Sequence, residues 1–148
     1  MNVIDRSALV PYSAAAMYAL VNDVAAYPKF LDGCSGAAVL SADAQSMVAR
    51  LDLAKAGMHY SFTTRNALTP NERIELTLVE GPFDHFRGQW QFLALSESAC
   101  KVTLHLEFEM AGRLGKLALR VLFHGVANHL VDAVVKRAHA VHGAAARG

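Results

Sequence analysis

The stretch that decides the fold is residues 111–143, which read AGRLGKLALRVLFHGVANHLVDAVVKRAHAVHG. Leucine, valine and alanine dominate it, and no proline interrupts it. These features predict that most of the stretch forms one long C-terminal helix, close to the longest that a small domain usually carries. The residues before it alternate as strands do, so we expect a sheet that wraps around this helix.

Five segments upstream of the helix alternate apolar and polar residues with a period of two. They are residues 47–53, 58–65, 74–78, 86–92 and 102–109. The breaks between them are short and rich in turn-forming residues, which favours hairpins. The pattern predicts an antiparallel meander with one apolar face.

The last predicted hairpin has a register that suits both of its faces. It pairs Trp90 with Leu104, Phe92 with Val102, Gly88 with Leu106, Phe86 with Phe108, Arg87 with Glu107 and His85 with Glu109. A slip by one residue would break both faces together. Gly88 is unusual among such large residues, and it indicates either a bulge or space left for something close to the sheet.

The chain before the meander predicts one strand and two short helices. Residues 3–10 read as a strand, Ser13 is a candidate N-cap for the helix that follows, and residues 24–27 form a second short helix. The order of elements predicts an α+β fold. We expect a single domain over residues 1–148, in which a curved antiparallel sheet of six to seven strands grips the long C-terminal helix.

Composition sets limits on the kind of protein. Hydrophobic residues make up 53% of the 148 residues and charged residues only 18%, so an internal cavity or an oligomer interface would use the apolar surplus. No apolar run has the length of a membrane span, and the N-terminus lacks the layout of a signal peptide. We therefore expect a soluble cytoplasmic protein, in which Cys34 and Cys100 are separate, buried thiols.

Five groups of short motifs, spread over nearly the whole chain, carry a resemblance to a known family. They are Leu9-Val10-Pro11-Tyr12-Ser13 with Met17-Tyr18; Val21-Asn22-Asp23-Val24 with Tyr27-Pro28, Phe30-Leu31 and Cys34; Lys55-Ala56-Gly57 with Phe62-Thr63-Thr64-Arg65-Asn66; Gly81-Pro82-Phe83 with Phe86, Gly88, Trp90 and Phe92; and Arg137-Ala138. In this order they resemble the START-like, or helix-grip, superfamily of polyketide cyclases. Within it the chain is similar to the RatA-type family of ribosome-association toxins and coenzyme Q-binding proteins, and more so to its bacterial branch.

The resemblance implies two activities, neither of them enzymatic and neither requiring a cofactor. The first is binding of a polyprenyl quinone or another lipid between helix and sheet, in support of respiration or quinone handling. The second is a toxin-type activity, in which the protein binds the large ribosomal subunit and blocks subunit association. We take the first as the leading hypothesis and the second as its alternative; a small-molecule cyclase or hydrolase of the same superfamily is a third.

The apolar face of the sheet and one helix face are the candidate ligand site, with an ordinary close-packed core as the alternative. The predicted cavity residues are Leu51, Leu53, Tyr60, Phe62, Leu76, Leu78, Phe86, Trp90, Leu104, Leu106 and Phe108 from the strands and Leu119, Leu122, Phe123, Val126 and Leu130 from the helix. Two loop segments with prolines and aromatics predict a cavity mouth formed by Tyr27, Pro28, Phe30 and Phe83. The alternative for these loops is that the same residues only fix two tight turns.

A basic surface is predicted at the start of the long helix. Residues 112–148 hold six basic residues against one acidic, a net charge of +5, whereas residues 1–111 carry a net charge of −4. Arg113, Lys116 and Arg120 are spaced to share one helix face, and the first two oppose the helix dipole. Contact with ribosomal RNA or with an anionic membrane surface would offset the unfavourable interaction of these charges with the helix dipole. The alternative is that the three basic side chains are simply solvated. We expect no DNA partner.

Neither a metal site nor a catalytic centre is indicated. The seven histidines show no metal-binding spacing. Of the polar residues, only Tyr60, Thr64 and Asn66 are expected to face inward, and the strand glutamates fall on the outer face. An apolar cavity without an inward carboxylate or histidine is poorly suited to general acid–base chemistry, so we predict no catalytic residue.

Overall fold

The computed structural model describes residues 2–55, 57–112 and 116–143, and of Lys116 only the backbone. Its strands alternate buried and exposed residues, as the sequence pattern requires. The strands are β1 Asn2–Val10, β2 Cys34–Ala42, β3 Ser46–Lys55, β4 Met58–Thr69, β5 Arg73–Glu80, β6 Phe83–Ser96 and β7 Ala99–Met110.

All seven described strands form one antiparallel sheet in the order β1-β7-β6-β5-β4-β3-β2. From β2 to β7 each strand pairs with the next along the chain, which confirms the predicted meander. The N-terminal strand β1 pairs with β7. Strands β1 and β2, which follow each other in sequence, therefore lie at opposite edges of the sheet. The α+β helix-grip fold predicted from the sequence is thereby confirmed.

The register predicted for the β6–β7 hairpin is confirmed at every pair. Trp90 lies opposite Leu104, and Arg87 lies opposite Glu107. Gly88 is not a bulge, because it pairs in unbroken register with Leu76 on one side and Leu106 on the other. A Cβ atom at Gly88 would collide with the side chain of Leu106, so the missing side chain makes room for neighbouring leucines.

The two predicted short helices follow β1. Helix α1, Ala14–Asn22, begins as expected at Ser13, whose hydroxyl accepts a hydrogen bond from the backbone N–H of Ala16 at 3.1 Å. The second, a 3-10 helix over Val24–Lys29, contains Pro28. Its Tyr27 is buried and donates its hydroxyl hydrogen to the carbonyl of Val21, which ties the second helix to the first.

The predicted long C-terminal helix is confirmed over Leu117–Gly143, with one irregular residue, His129, at which the i→i−4 hydrogen bonds continue. Gly112 has a φ of +80°, a left-handed conformation that ends the preceding strand, and Ala111 and Gly112 are not helical. Helix α2, Lys116–Asn128, and helix α3, Leu130–Ala138, meet at His129, and a single π turn, His139–Gly143, follows. Helix α2 contacts β3, β7 and β1, and helix α3 packs on β1, β7 and α1.

The helical span Leu117–Gly143 is long and apolar enough to cross a membrane by length and composition alone. Buried residues recur along it at helical spacing, among them Phe123, Ala127, Val131 and Val134. These residues pack against the sheet, as those of a core helix do. Cys34 and Cys100 are buried free thiols, as predicted.

Candidate functional site

A cavity of about 70 Å³ lies between the concave face of the sheet and the C-terminal helices. The C-terminal helices contribute Phe123, Val126, Ala127 and Leu130. Residues in and next to the 3-10 helix, among them Tyr27 and Leu31, close one end. The walls are Val21, Val24, Tyr27, Leu31, Ala49, Leu51, Leu53, Phe62, Thr64, Asn66, Ile74, Leu76, Phe86, Trp90, Leu104, Leu106, Phe123, Val126, Ala127 and Leu130. The site is thus part of the core rather than a groove on its surface.

Most of the predicted cavity residues lie where the sequence placed them. Those that line the cavity are Leu51, Leu53, Phe62, Leu76, Phe86, Trp90, Leu104, Leu106, Phe123, Val126 and Leu130. The structure does not bring Tyr60, Leu78, Phe108, Leu119 and Leu122 to its wall. The strand residues among them, Tyr60, Leu78 and Phe108, lie on the predicted face of the sheet. This face is longer than the cavity, so inward residues beyond the cavity pack on other side chains.

Six wall residues were missed, for two reasons. Ala49 and Ile74 have the alternation expected of inward residues, and Ala127 lies next to Val126 on the same helix. Val21 and Val24 come from the short helices, and Leu31 comes from the loop after them; no sequence period gives the packing direction of these segments.

An aromatic cluster fixes α2 on the sheet beside the cavity. The ring of Phe123 lies 4.5 Å from that of Phe108 and 5.1 Å from that of Phe83. Phe62 and Phe86 complete the cluster from the neighbouring strands. Phe83 is only 7% exposed, so its predicted position at an open cavity mouth is wrong. Burial of its large apolar ring against Phe123 is more favourable than exposure of the ring at an opening.

The other predicted mouth residues lie in three different environments. Tyr27 is buried in the cavity wall, Pro28 is exposed and lines neither cavity nor cleft, and Phe30 lines a second, open cleft. The guanidinium of Arg137 lies 5.6 Å from the centre of the Phe30 ring, a cation–π arrangement that holds this loop against α3. Of the four predicted mouth residues, Phe30 is therefore the one that lines an opening to the surface.

The cleft beside Phe30 has a volume of about 570 Å³ and abuts the inner cavity. Leu31 and Val126 line both spaces, so their side chains form the partition between them. A Cβ atom at Gly33, which has a φ of +90°, would lie 2.7 Å from Cγ2 of Val126. The backbone of the loop therefore approaches the helix closely at this partition. An ion pair of 3.0 Å between Lys55 and Asp32 spans the rim of the cleft.

The volume of the inner cavity limits what it can hold. An engineered protein cavity of roughly 150 Å³ admits benzene, and pockets for drug-sized ligands begin at about 300 Å³. At about 70 Å³, the inner cavity holds a six-membered ring only if the helix and the sheet move apart. The adjoining cleft is large enough for an apolar chain.

Few polar groups face the cavity, and the hydroxyl hydrogens among them are donated within the protein. Besides the indole of Trp90, the polar side chains in the described wall are those of Tyr27, Thr64 and Asn66. The Tyr27 hydroxyl donates to Val21, and Thr64 Oγ1 donates to Asn66 Oδ1 at 2.7 Å. The described wall carries no carboxylate, imidazole or thiol.

Burial holds the ionisable groups close to the cavity in their neutral forms. Desolvation raises the pKa of the Tyr27 phenol far above its ordinary value, and it also raises the pKa of the Cys34 thiol. A raised pKa reduces the reactive anion of each group at neutral pH. Among the described residues, no group of three or more His, Cys, Asp or Glu side chains is placed to hold a metal ion.

The predicted basic surface falls mostly outside the part of the chain that the structure describes. Arg113 and the side chain of Lys116 lie outside the described residues. Arg120 is half-buried, and the exposed apolar residues Leu117 and Val121 flank it along α2. The basic surface formed by Arg113, Lys116 and Arg120 therefore remains a prediction.

The fold and cavity define a helix-grip protein with an apolar interior, and the comparisons give the family. The family model described as polyketide cyclase / dehydrase and lipid transport matches residues 10–135. A ribosome association toxin RatA from Vibrio cholerae is 48% identical over 143 residues, which are 97% of this chain and 99% of that protein. A protein of the same name from Pseudomonas aeruginosa is 49% identical, over 95% of this chain and 97% of its own length. This chain belongs to the polyketide cyclase / dehydrase and lipid transport family and, within it, to the RatA-type branch.

A more distant sequence relative and two solved structures show which other proteins share this fold. A mitochondrial coenzyme Q-binding protein, coq10, from Schizosaccharomyces pombe is 22% identical over 92% of this chain and 86% of its own length. The crystal structure of the Zhui aromatase/cyclase from Streptomyces has a TM-score of 0.79 at 20% identity, over 93% of each chain. The solution structure of an 18 kDa protein from Caulobacter crescentus has a TM-score of 0.72 at 26% identity, over 97% of this chain and 99% of that one. The fold thus hosts proteins named for ribosome association, for quinone binding and for cyclase activity.

Proposed function

We propose that this chain is a non-enzymatic cytoplasmic protein of the RatA type whose cavity binds a polyprenyl quinone or a similar apolar lipid, in support of respiration or quinone handling. The observation that carries the proposal is the chemistry of the cavity wall. It is apolar except for one indole, two hydroxyls and one amide, so it suits a ligand held mainly by burial, at about 25 cal/mol per Å².

The two adjoining spaces suit the two parts of such a ligand. The ring would occupy the inner cavity after a small outward movement of α2 and α3, and the chain would run past Leu31 and Val126 into the cleft. The cleft has an apolar floor that includes Met58 and Leu122 and a charged rim that includes Lys55 and Lys136. A chain buried on the floor would leave these charges in water.

The proposal is tested by extracting protein purified without detergent into organic solvent and analysing the extract by mass spectrometry. Ala49 faces the cavity from β3 and is buried. Ala49→Leu should therefore fill the cavity and reduce the recovered lipid several-fold. The matched control is Ala67→Leu, at an exposed position on β4, which should leave recovery unchanged. Equal recovery from both variants, or no lipid from the native protein, would contradict the proposal.

Association with the large ribosomal subunit is the second candidate function. The likeness in sequence favours it, since the two proteins named ribosome association toxin are 48% and 49% identical to this chain and coq10 is 22% identical. The two functions use different parts of the molecule, the core and the surface, so one chain can have both.

The ribosome hypothesis is tested by co-sedimentation with purified large subunits at two salt concentrations. Exchanging Arg113, Lys116 and Arg120 for Glu should weaken binding at least tenfold, because each phosphate contact contributes to a salt-dependent affinity. The matched control exchanges three exposed strand residues, Arg65, Arg87 and Lys101, for Glu and produces the same change in net charge. If both triple variants bind like the native protein, the predicted basic surface is not the contact.

A further inference from the structure

The amide of Asn66 is the polar group of the cavity that stands out. Asn66 is only 5% exposed, and its neighbour Thr64, two residues earlier on the same face of β4, is 8% exposed. Both side chains line the cavity. Burying an amide without a partner costs roughly 1–3 kcal/mol on protein scales, so this placement calls for a reason.

Thr64 fixes the orientation of the amide. Its hydroxyl donates to Asn66 Oδ1 at 2.7 Å, which leaves the Nδ2 group on the opposite side of the amide plane. The residues aligned with Asn66 on the neighbouring strands are Met47 and Leu76, and neither side chain carries an oxygen acceptor. Thr64 bonds the amide through Oδ1, so the Nδ2 group is the part of the amide that can be offered to a ligand in the cavity.

The indole N–H of Trp90 is a second donor in the same wall. The indole lines the cavity and is 2% exposed. The hydroxyl hydrogens of the wall are already donated within the protein, that of Tyr27 to the carbonyl of Val21 and that of Thr64 to Asn66. In the described wall, the amide of Asn66 and the indole of Trp90 are therefore the donors that can be offered to a ligand.

We infer that Asn66, oriented by Thr64, is a specificity-determining residue that donates a hydrogen bond to a carbonyl oxygen on an apolar ligand. The inference rests on the proposed binding of an apolar ligand and adds the chemical class of its polar group. A ring carbonyl, as in a quinone, and an ester carbonyl, as in an acyl lipid, both supply such an oxygen. A hydrocarbon of the same shape leaves the buried amide unpaired, and sites built around a hydrogen bond reject such analogues strongly.

The test measures the affinity of three ligands by displacement of the neutral fluorescent probe N-phenyl-1-naphthylamine. The ligands are decyl-benzoquinone, the methyl ester of a fatty acid of similar length, and decylbenzene. The native protein should bind at least one of the two carbonyl compounds about tenfold more tightly than decylbenzene, which corresponds to one net hydrogen bond. Whichever carbonyl compound binds more tightly identifies the source of the oxygen.

Two variants and one control separate recognition from folding. Asn66→Leu should abolish the preference for the carbonyl compounds while it keeps the affinity for decylbenzene. Thr64→Val should reduce the preference, because the amide loses the hydrogen bond that orients it, and it serves as the test if Asn66→Leu does not fold. The matched control is Thr63→Val, whose threonine is equally buried, at 7% exposure, but lies outside the cavity wall; its preference should equal that of the native protein.

The outcomes distinguish this inference from the function on which it rests. Equal binding of all three ligands to the native protein, or a preference that persists in the variants at positions 64 and 66, would overturn the role of Asn66 and leave apolar-ligand binding intact. Displacement of the probe by none of the three ligands would overturn both.

Discussion

The ring of Phe123 on α2 and the ring of Phe108 on β7 lie 4.5 Å apart at an angle of 74°. Both residues are almost completely buried, and edge-to-face pairs of this kind add about 0.5–1.5 kcal/mol to the burial of the rings. This contact joins the C-terminal helix to β7, the strand next to the edge strand β1. It is one of the aromatic contacts that hold the helix over the cavity.

Phe123→Ala should lower the free energy of unfolding by about 3–5 kcal/mol, because it removes a large buried ring and leaves a void next to the cavity. Chemical denaturation followed by circular dichroism measures this change. The control is Leu117→Ala on the same helix, where the leucine is 64% exposed, and its effect should stay within about 0.5 kcal/mol. Similar losses in the two variants would show that the aromatic cluster does not anchor the helix.

Gly88 and Gly125 should respond in opposite directions to the same substitution. A Cβ atom at Gly88 collides with Leu106, whereas one at Gly125 meets nothing within 4 Å. Gly88→Ala should cost about 1–3 kcal/mol through overpacking. Gly125→Ala should stabilise the protein by up to about 1 kcal/mol, because alanine is the better helix former. Thermal melts of the two variants measure both effects, and a stable Gly88→Ala variant would contradict the close packing over β6.

Val126 should control the rate at which an apolar probe reaches the inner cavity. Its side chain is part of the partition between cleft and cavity, so Val126→Ala should raise the association rate of N-phenyl-1-naphthylamine several-fold in stopped-flow fluorescence. Val134→Ala is the control, since Val134 is fully buried on α3 and lines neither space. If both variants accelerate binding alike, general loosening of the helix explains the rate and the partition does not.

The pairing of β1 with β7 should depend on pH through His105. Its imidazole Nδ1 lies 2.5 Å from Asp5 Oδ1 on β1, and this hydrogen bond raises the pKa of His105 above its ordinary value of 6.5, with a smaller contribution from Glu107. Because the folded pKa is the higher one, the stabilisation is fully present below pH 6.5 and is lost as the pH rises through the raised value.

Asp5→Asn should accordingly lower the pKa of His105, as measured by NMR titration. It should also destabilise the protein more at acidic than at alkaline pH. The pair is largely exposed, so the effect should be below about 1 kcal/mol. A pKa of His105 that does not change in the variant would show that the contact with Asp5 does not form in solution.

The sequence predicted the sheet better than it predicted the helix. Alternation of apolar residues predicted the strands, and matching both faces of one hairpin was sufficient to predict its register from Phe86 to Phe92. The irregular turn at His129 was not predicted, because apolar composition continues through this position. Tertiary packing, rather than local propensity, sets the position of this turn.

The candidate site was predicted only in part, because the alternation of apolar residues contains limited information about packing. Alternation gives the face on which a side chain lies, so residues such as Leu104 and Trp90 were placed correctly. It does not give the distance between the sheet and whatever covers it. Phe108 was therefore predicted to line the cavity but belongs to a packed cluster, and the role of Thr64 in orienting Asn66 is visible only from the distance between the two side chains.

The measurement that tests the central claim most directly is a titration of methyl-labelled protein with decyl-benzoquinone, followed by NMR. The account predicts saturable shifts and intermolecular contacts at Leu104, Leu106 and Val126, which line the cavity. It predicts no change at the exposed leucines Leu93 and Leu95. Shifts confined to exposed leucines, or no saturable shifts at all, would contradict the claim that this cavity binds an apolar ligand.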